Sequence, residues 1–400
     1  MPATIKLFSD APRCSEFRAR VLSASKRDNE EFDVVLDRTA FYPESGGQLC
    51  DYGTLGGVAV TSVREDGDVI VHRVADCSLS GEVDGRIDWV RRFDHMQQHT
   101  GQHVLSRAFF NTAALTTVSF HMGDAISTID LMGGVVDEDA VRAAEDLVNR
   151  VIEESRKIVV RTVPTKSLRD KSLRGKVPDG VSQARLVEVE GFDIVPCCGT
   201  HVASTAELRA IKVLKWEKVR NASRVYFKVG RRALDDYAFK HSVVQQLANQ
   251  LTTSVDSLVS GFEKTVADAK AGRRALKRLS SRLAVLEKDA LLADAVAVGS
   301  IRLIACMLPD ADGAYLAALS GELRGVGGLV SLLGSGDGTV VCVAADDVAI
   351  DLATVAGKIA SDMNGRGGGK GRYARASLSD AVQAKHFIEA MKDDVEKQMQ

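Results

Sequence analysis

The chain of 400 residues has no long apolar run and no signal-like start. No uninterrupted apolar stretch reaches the roughly 18 residues that a membrane-spanning helix needs, so we expect no membrane span. The N-terminal sequence MPATIKLFSDAPRC has neither a basic leader nor an apolar segment. It does not read as a secretory signal, and we therefore expect a cytoplasmic protein.

Cysteine is scarce and charge of one sign is not in excess. The chain has seven cysteines, an odd number that argues against a disulfide framework and leaves reduced thiols or metal ligation. The formal net charge of −2 gives no global attraction to nucleic acid. Local basic segments are present, because residues 156–185 and 207–232 each hold nine Lys or Arg against two acids. Such segments are equally typical of a solvated surface.

The chain of 400 residues is longer than the roughly 250–300 residues that share a single hydrophobic core, so we predict an α+β multidomain protein. Residues 1–90 contain short β-type runs separated by Gly and Asp turns, which predicts an N-terminal antiparallel β-barrel. Residues 91–232 predict an α+β domain, with one helix capped by Asp94 and a second over 137–157. Strands are predicted near 158–163, 184–190 and 209–229.

The second half of the chain changes in composition. Residues 233–296 lack proline, contain only Gly261 and Gly272, and have apolar residues at helical spacing. This pattern predicts a long helical linker of one or two helices. Residues 297–400 mix β-type runs with a glycine-rich segment and a final helical pattern, which predicts a small α/β C-terminal domain with a Gly-rich loop.

Two short motifs in the middle segment carry metal-binding residue types. In DHMQQHTGQH, His95, His99 and His103 recur every four residues, so a helix places them on one face. In PCCGTH, Cys197 and His201 flank Gly199 at a spacing that suits a tight turn. Imidazole and thiolate together are a donor mixture that zinc favours. Taken singly, each motif also fits unligated side chains.

Three ordered motifs together resemble a known family. FYPESGGQLCDYG, HTGQH and CCGTH are similar to the signatures of the editing domain of alanyl-tRNA synthetases and of the free-standing AlaX proteins. NGRGGGKGRYA at 364–374 resembles the glycine-rich motif of the DHH-associated C-terminal domain that the large AlaX form carries. The motifs of an ATP-using synthetase core are missing. The resemblance therefore implies an editing enzyme without an adenylation domain.

The resemblance implies one zinc ion per chain and gives its ligands, which would also carry the catalysis: His99, His103, Cys197 and His201. His95 falls outside the motif. The chain departs from the common family pattern at Thr100, Gly101, Gln102 and Cys198, which we expect to line the substrate pocket. Four protein ligands are typical of a closed structural zinc site, whereas catalytic sites keep a position open. Either one ligand is loose or the ion expands its coordination.

The resemblance also implies the substrate and its contacts. The partner would be tRNA(Ala) charged with the wrong amino acid, chiefly serine and also glycine, and the reaction would be hydrolysis of the aminoacyl ester. Substrate-binding candidates are Gly46, Gly47 and Gln48 in the glycine turn, and Thr116, Thr117 and Ser119 as the hydroxyl that recognises serine. The tRNA-binding candidates are Arg366, Lys370 and Arg372, and the helical or C-terminal segment would pair two chains as a homodimer.

Two alternatives stay open from the sequence. The first is a non-catalytic tRNA-binding protein with a purely structural zinc. The second is a deacylase of the same fold that acts on another aminoacyl-tRNA, such as threonyl-tRNA.

Overall fold

A computed structural model describes residues 1–27, 31–75, 79–168, 173–175, 177 and 180–399. The chain divides into two compact units, Met1–Gln245 and Gln246–Gln400. Both units combine helices with sheets, so the predicted mixed α+β multidomain class is confirmed. Within the described residues, no helix is both long and apolar enough to cross a membrane.

The first unit begins with a ring of short antiparallel strands. Six strands form the closed ring, in the order β2-β3-β7-β6-β5-β8. Outside this ring, β1 pairs in parallel with β4. Inward side chains alternate with outward ones, as in β8, because successive residues of a strand point to opposite faces. The elements are β1 (Ile5–Lys6), α1 (Leu7–Asp10), β2 (Glu16–Lys26), β3 (Phe32–Leu36), β4 (Arg38–Thr39), β5 (Gly53–Leu55), β6 (Val58–Asp66), β7 (Val69–Val74) and β8 (Glu82–Ile87).

A long helix, α2 (Trp89–Ala113), follows the ring directly. Its N-cap is Asp88, whose carboxylate accepts a hydrogen bond from the backbone N–H of Arg91 at 3.1 Å. The predicted cap, Asp94, is wrong by six residues: it lies inside the helix and pairs with Arg232 at 2.6 Å. The helix starts earlier because Asp88 already satisfies an N–H group of the first turn.

The rest of the first unit places two sheets around α2. A four-stranded sheet has the order β14-β15-β10-β9, and a three-stranded sheet has the order β11-β12-β13. Met96, Val104 and Phe109 of α2 are buried in one core with the first sheet and α3. The elements are β9 (Thr116–Met122), β10 (Ser127–Met132), α3 (Glu138–Glu153), β11 (Ile158–Pro164), β12 (Gln183–Val189), β13 (Asp193–Pro196), β14 (Ile211–Val219) and β15 (Ala222–Val229).

Two long helices follow, α4 (Arg231–Gln250) and α5 (Leu258–Ala293). The second unit then forms a six-stranded sheet in the order β16-β17-β18-β19-β21-β20, in which only the β17 and β18 pair is parallel. Its elements are β16 (Val296–Val298), β17 (Ile301–Leu308), α6 (Gly313–Arg324), β18 (Leu329–Ser335), β19 (Thr339–Ala344), α7 (Leu352–Asp362), β20 (Arg366–Lys370), β21 (Tyr373–Ser377) and α8 (Ala381–Met399).

The glycine-rich segment is an edge strand, β20, and not the loop that its composition predicts. The reason is close packing against α7. A Cβ atom on Gly367 would lie 2.7 Å from both the carbonyl oxygen of Ala356 and the Cβ of Ala360. Glycine here lets a strand approach a helix, which composition alone cannot distinguish from a mobile loop.

Candidate metal centre and active site

Four side chains from two distant parts of the chain meet in the first unit. The donor atoms of His99, His103, Cys197 and His201 all lie within 4.8 Å of one another. The Sγ atom of Cys197 is 3.3 Å from Nε2 of His99 and 3.3 Å from Nε2 of His201. His95 does not belong to this group of donors, and its buried Nδ1 has no hydrogen-bond partner among the described residues.

Two elements supply these donors. His99 and His103 are one turn apart on α2, and their rings stack with centroids 5.0 Å apart. Cys197 and His201 belong to the turn that follows β13. Gly199 allows the two parts to touch, because a Cβ atom there would lie 2.2 Å from Cε1 of His99. The small residue at the centre of the turn is thus required by the imidazole beside it.

The Nδ1 atoms of His99 and His201 each lie within hydrogen-bond distance of a side-chain oxygen atom. Nδ1 of His99 donates to Oε1 of Gln48 at 2.8 Å. The same oxygen accepts the backbone N–H of Thr200 at 3.1 Å, and Nε2 of Gln48 donates to the Thr200 hydroxyl at 2.9 Å. Nδ1 of His201 lies 3.0 Å from the Thr100 hydroxyl oxygen. Both contacts leave the Nε2 lone pair directed at the thiol, as a metal ligand requires.

His103 differs from the other two histidines in its neighbour. Nη2 of Arg174 lies 3.1 Å from Nδ1 of His103, and a guanidinium group can only donate. Arg174 is in turn held by Asp193, to which Nη2 donates at 2.7 Å. Nε2 of His103 is buried and has no hydrogen-bond partner among the described residues. It is a polar atom that lacks a partner within the cluster.

Burial sets the charge of the cluster. Burial lowers the pKa of His99 to about 3 and lowers the pKa values of His103 and His201 well below the ordinary value. Burial also raises the pKa of the Cys197 thiol to about 11. Neutral imidazoles are in the state that ligates metals, and a divalent cation would supply the positive charge that a buried thiolate needs.

The donor set fits zinc. Three nitrogen atoms and one sulfur atom are the types that Zn²⁺ prefers. A tetrahedron built from Zn–N of about 2.0–2.1 Å and Zn–S of about 2.3 Å has edges of roughly 3.5 Å. The 3.3 Å separations between sulfur and nitrogen are close to that value. Nε2 of His103 is buried without a hydrogen-bond partner among the described residues, and it would ligate a cation only with its lone pair free, which the Arg174 contact at Nδ1 disfavours.

A cavity of about 430 Å³ opens onto this cluster. His99, His103 and Cys197, three of the four residues that carry the donor atoms, form part of its wall. Arg185 holds the turn in place, since its guanidinium donates to the carbonyl oxygens of Cys197 at 2.7 Å and Gly199 at 3.0 Å. The remaining lining residues are Tyr42, Ser45, Gly46, Gln102, Phe120, Val177, Val181, Gln183, Ala184, Pro196, Cys198 and Gly199.

The glycine turn lies beside the cavity. Gly46 lines the space, whereas Gly47 packs on β9, where a Cβ atom would lie 2.7 Å from the carbonyl oxygen of Phe120. Both glycines have positive φ, 57° and 80°, between Ser45 and Gln48, whose backbones bond to each other. The fully buried Gln48 contacts His99 and Thr200 and is not part of the cavity wall.

The three predicted hydroxyl residues do not line the cavity, in the described part of the chain. Thr116 and Ser119 are exposed on β9. Thr117 is half-buried and donates to the Ser106 hydroxyl at 2.7 Å. Of the four positions that depart from the family pattern, Gln102 and Cys198 line the cavity. The other two, Thr100 and Gly101, do not: Thr100 contacts His201, and Gly101 packs against Val229.

Several residues in or beside the cavity were not singled out by the sequence analysis. Tyr42 lies inside the FYPESGGQ motif, so the motif itself could have indicated it. Phe120 contacts His99, with ring centroids 5.4 Å apart, but it resembles any aromatic strand residue. Arg174 and Arg185 lie in the first basic segment, where spacing does not separate them from surface charges.

The predicted tRNA-binding residues lie in the second unit. Arg366 and Lys370 are exposed at the two ends of β20. Lys370 and Arg372 line a second cavity, of about 410 Å³, together with Arg324 and Tyr373. The side chain of Arg372 also donates to the carbonyl oxygen of Val348 at 2.7 Å, so part of its guanidinium is engaged in the fold.

Family profiles match three parts of the chain. The profile described as the threonyl and alanyl tRNA synthetase second additional domain matches residues 184–226, which contain Cys197 and His201. The profile for tRNA synthetases class II (A) matches residues 10–91, and the DHHA1 domain profile matches residues 300–397. The matches cover parts of both compact units.

Individual relatives agree with these profiles. The alanine–tRNA ligase of Pyrococcus abyssi is 31% identical over 98% of this chain, which spans only 44% of that ligase's length. The alanyl-tRNA editing protein Aarsd1-B of Xenopus laevis is 32% identical over 71% of this chain and 70% of its own length. The solved C-Ala domain of Aquifex aeolicus alanyl-tRNA synthetase aligns with 26% of this chain and 97% of that domain, at 17% identity and a TM-score of 0.24. The ordered motifs and these relatives together show that the chain belongs to the family of alanyl-tRNA editing proteins, the AlaX and Aarsd1 group.

Proposed function

We propose that this protein is a trans-editing hydrolase that deacylates mischarged tRNA(Ala), chiefly Ser-tRNA(Ala) and also Gly-tRNA(Ala). The observation that carries the proposal is the cavity of about 430 Å³ with His99, His103 and Cys197 in its wall. A purely structural metal cluster has no need of an adjoining space large enough for an aminoacyl group. The editing-protein relative supports the same activity.

His99, His103, Cys197 and His201 would hold one zinc ion per chain. When bound, zinc supplies a Lewis acid that polarises an ester carbonyl or lowers the pKa of a water molecule. Gln48 and Thr100 fix the ring orientations of His99 and His201 through their Nδ1 atoms. Arg185 holds the backbone of Cys197 and Gly199, so the cavity wall stays in place when substrate enters.

The apolar part of the wall would exclude water from the ester. Phe120 covers one face of His99, and Tyr42 lines the opening together with Gly46. The exposed backbone at Gly46 allows the ribose end of the tRNA to approach without a side chain in its path. The ester would thus lie between the glycine turn and the donor cluster.

The second unit would bind the tRNA body through Arg366, Lys370 and Arg372. Two of these three side chains, Lys370 and Arg372, line one cavity. Phosphate groups bind such clusters through charge and hydrogen bonds, without reading sequence.

The deciding experiment is a deacylation panel of Ser-, Gly-, Ala- and Thr-tRNA with zinc content measured on the same sample. We expect rapid loss of serine, slower loss of glycine and little loss of alanine or threonine. Threonine as the preferred substrate would indicate a deacylase for another aminoacyl-tRNA. Full zinc content and tRNA binding without turnover on any substrate would instead indicate a non-catalytic tRNA-binding protein.

A further inference from the structure

Gln102 has an unusual position within the cavity wall. It precedes His103 on α2, lines the cavity and is 4% exposed. Its Nε2 donates to the hydroxyl oxygen of Ser106, one turn later, at 2.9 Å. No donor from the described residues reaches its Oε1. The amide therefore has its N–H side engaged and its carbonyl oxygen unpartnered at the edge of the cavity.

A second hydroxyl group contacts the same serine. Thr117 of β9 donates to the same Ser106 oxygen at 2.7 Å, so that oxygen accepts from both sides. In this network the NH₂ end of the Gln102 amide is bonded to Ser106, so its carbonyl oxygen points away from that contact. Thr117, Ser106 and Gln102 thus form one chain of hydrogen bonds from β9 to the cavity wall.

Among the other polar side chains of the wall outside the donor cluster, Ser45, Gln183 and Cys198 are exposed, whereas Tyr42 and Arg185 are engaged by the backbone. The Tyr42 hydroxyl donates to the carbonyl oxygen of Ser45 at 3.2 Å. The Arg185 guanidinium donates to the turn that carries Cys197. Gln102 remains as a buried neutral acceptor next to the donor cluster, the type of group that pairs with an aliphatic hydroxyl.

We propose that Oε1 of Gln102 accepts the hydrogen bond of the seryl β-hydroxyl, and that Ser106 and Thr117 are positioning residues that act through Gln102. The inference rests on the proposed editing function and names the group that selects its substrate. A seryl ester would donate a hydrogen bond to this oxygen, whereas an alanyl ester has no hydroxyl group to donate. Thr117 thus affects selectivity without touching the substrate.

The test compares four variants of the full-length, zinc-loaded protein: Gln102→Leu, Thr117→Val, Thr117→Ser and the control Thr112→Val. Thr112 is also close to the end of α2, but its hydroxyl donates to the carbonyl oxygen of Ala108. The measurements are kcat/KM on Ser-tRNA(Ala) and Gly-tRNA(Ala), zinc content, and the Kd values of non-hydrolysable seryl and glycyl amide analogues of the tRNA terminus.

Gln102→Leu should lower the serine-to-glycine ratio of kcat/KM about five- to tenfold, with unchanged zinc content and a matching change in the Kd ratio. Thr117→Val should shift both ratios in the same direction by a smaller factor, while Thr117→Ser and Thr112→Val keep the wild-type ratios. An equal loss on both substrates, or unchanged ratios in Gln102→Leu, would overturn the inference. A wild-type protein that hydrolyses no ester would instead overturn the proposed function, and the analogue Kd ratios would still report on Gln102.

Discussion

In each of the three histidines of the cluster, Nδ1 contacts a different neighbour. That neighbour determines whether Nε2 has a free lone pair for a metal ion. Gln48 and Thr100 offer oxygen atoms to His99 and His201, which favours the tautomer with a free Nε2 lone pair. Arg174 offers only N–H groups to His103. The ring of His103 is consequently the least favourable metal donor of the three, and His99 and His201 should dominate zinc affinity together with Cys197.

Replacing Gln48 should weaken zinc binding although Gln48 is not among the donors. In Gln48→Met, His99 loses the carbonyl oxygen that fixes its tautomer, and such changes typically cost about 10–100-fold in metal affinity. Competition with a chelator of known affinity measures the effect. Gln245→Met, at an exposed glutamine of α4, is the control and should bind zinc like the wild type. Equal affinity of the two variants would show that Gln48 does not orient His99.

The two adjacent cysteines should behave differently. Cys197→Ala removes the sulfur that lies 3.3 Å from two imidazoles, so the purified protein should contain much less than one zinc per chain and lose most activity. Cys198 is exposed and lies outside the donor group, so Cys198→Ala should keep its zinc. Elemental analysis of both variants provides the measurement. Similar zinc contents would exclude Cys197 as a principal ligand.

At the scale of elements, α2 is anchored to the strand ring by a buried ion pair. Arg92 of α2 and Asp51 contact each other, and both side chains have an exposed fraction of 0%. Arg92 also donates to the carbonyl oxygen of Pro12 at 2.7 Å, and Asp51 accepts the backbone N–H of Tyr42 at 2.6 Å. This network joins the helix that carries His99 to the segment that carries the glycine turn.

Breaking this pair should destabilise the first unit strongly. Arg92→Leu leaves the Asp51 carboxylate buried without its partner, which typically costs about 3–5 kcal/mol in the free energy of unfolding. Urea denaturation monitored by circular dichroism measures the loss. The exposed pair Arg142 and Glu138 is the comparison, and Arg142→Leu should change the free energy by less than about 1 kcal/mol. Similar losses would mean that burial of the pair does not matter.

His72 in β7 should make the stability of the ring depend on pH. Burial lowers its pKa to about 4, while Nδ1 donates to the carbonyl oxygen of Val34 at 3.1 Å. Because the folded pKa lies below the ordinary value of about 6.5, the stabilisation is complete above pH 6.5 and is lost as the pH falls towards 4. The loss should reach about 3 kcal/mol. Denaturation curves of the wild type and His72→Gln at pH 7 and pH 4.5 measure this loss. The free energy of unfolding should fall more between the two pH values in the wild type than in the variant. Equal decreases would show that His72 is not the origin of the pH dependence.

Periodicity predicted the helix that carries His99 and His103, because the four-residue spacing is a local property of α2. It did not predict the helix start, because Asp88 caps the first turn and Asp94 pairs instead with Arg232, far along the chain. The sequence named Thr117 as a candidate but not its contact with Ser106. That contact depends on how β9 lies against α2, which periodicity does not give.

For the whole molecule, the basic segments of the sequence overstate the free positive charge. In residues 207–232, Lys212, Arg224, Lys228 and Arg232 form ion pairs with acids from other segments, namely Glu145, Asp130, Asp236 and Asp94. These residues link elements of the fold. Their charge is largely compensated, so the count of Lys and Arg in a segment predicts little about its affinity for phosphate.

In the second unit, by contrast, Arg366 and Lys370 are exposed at the ends of β20 and, among the described residues, form no ion pair. If they contact the tRNA backbone, each releases counterions on binding, so the double variant Arg366→Ser, Lys370→Ser should bind tRNA more weakly. The slope of log affinity against log salt should fall by about 1–2. Filter binding across a salt series measures this slope, while turnover at saturating tRNA should change little, because the donor cluster belongs to the first unit.

Lys392→Ser is the control, since Lys392 on α8 already pairs with Glu396 and its loss should leave the slope unchanged. A double variant with the wild-type slope would remove β20 from the tRNA-binding surface.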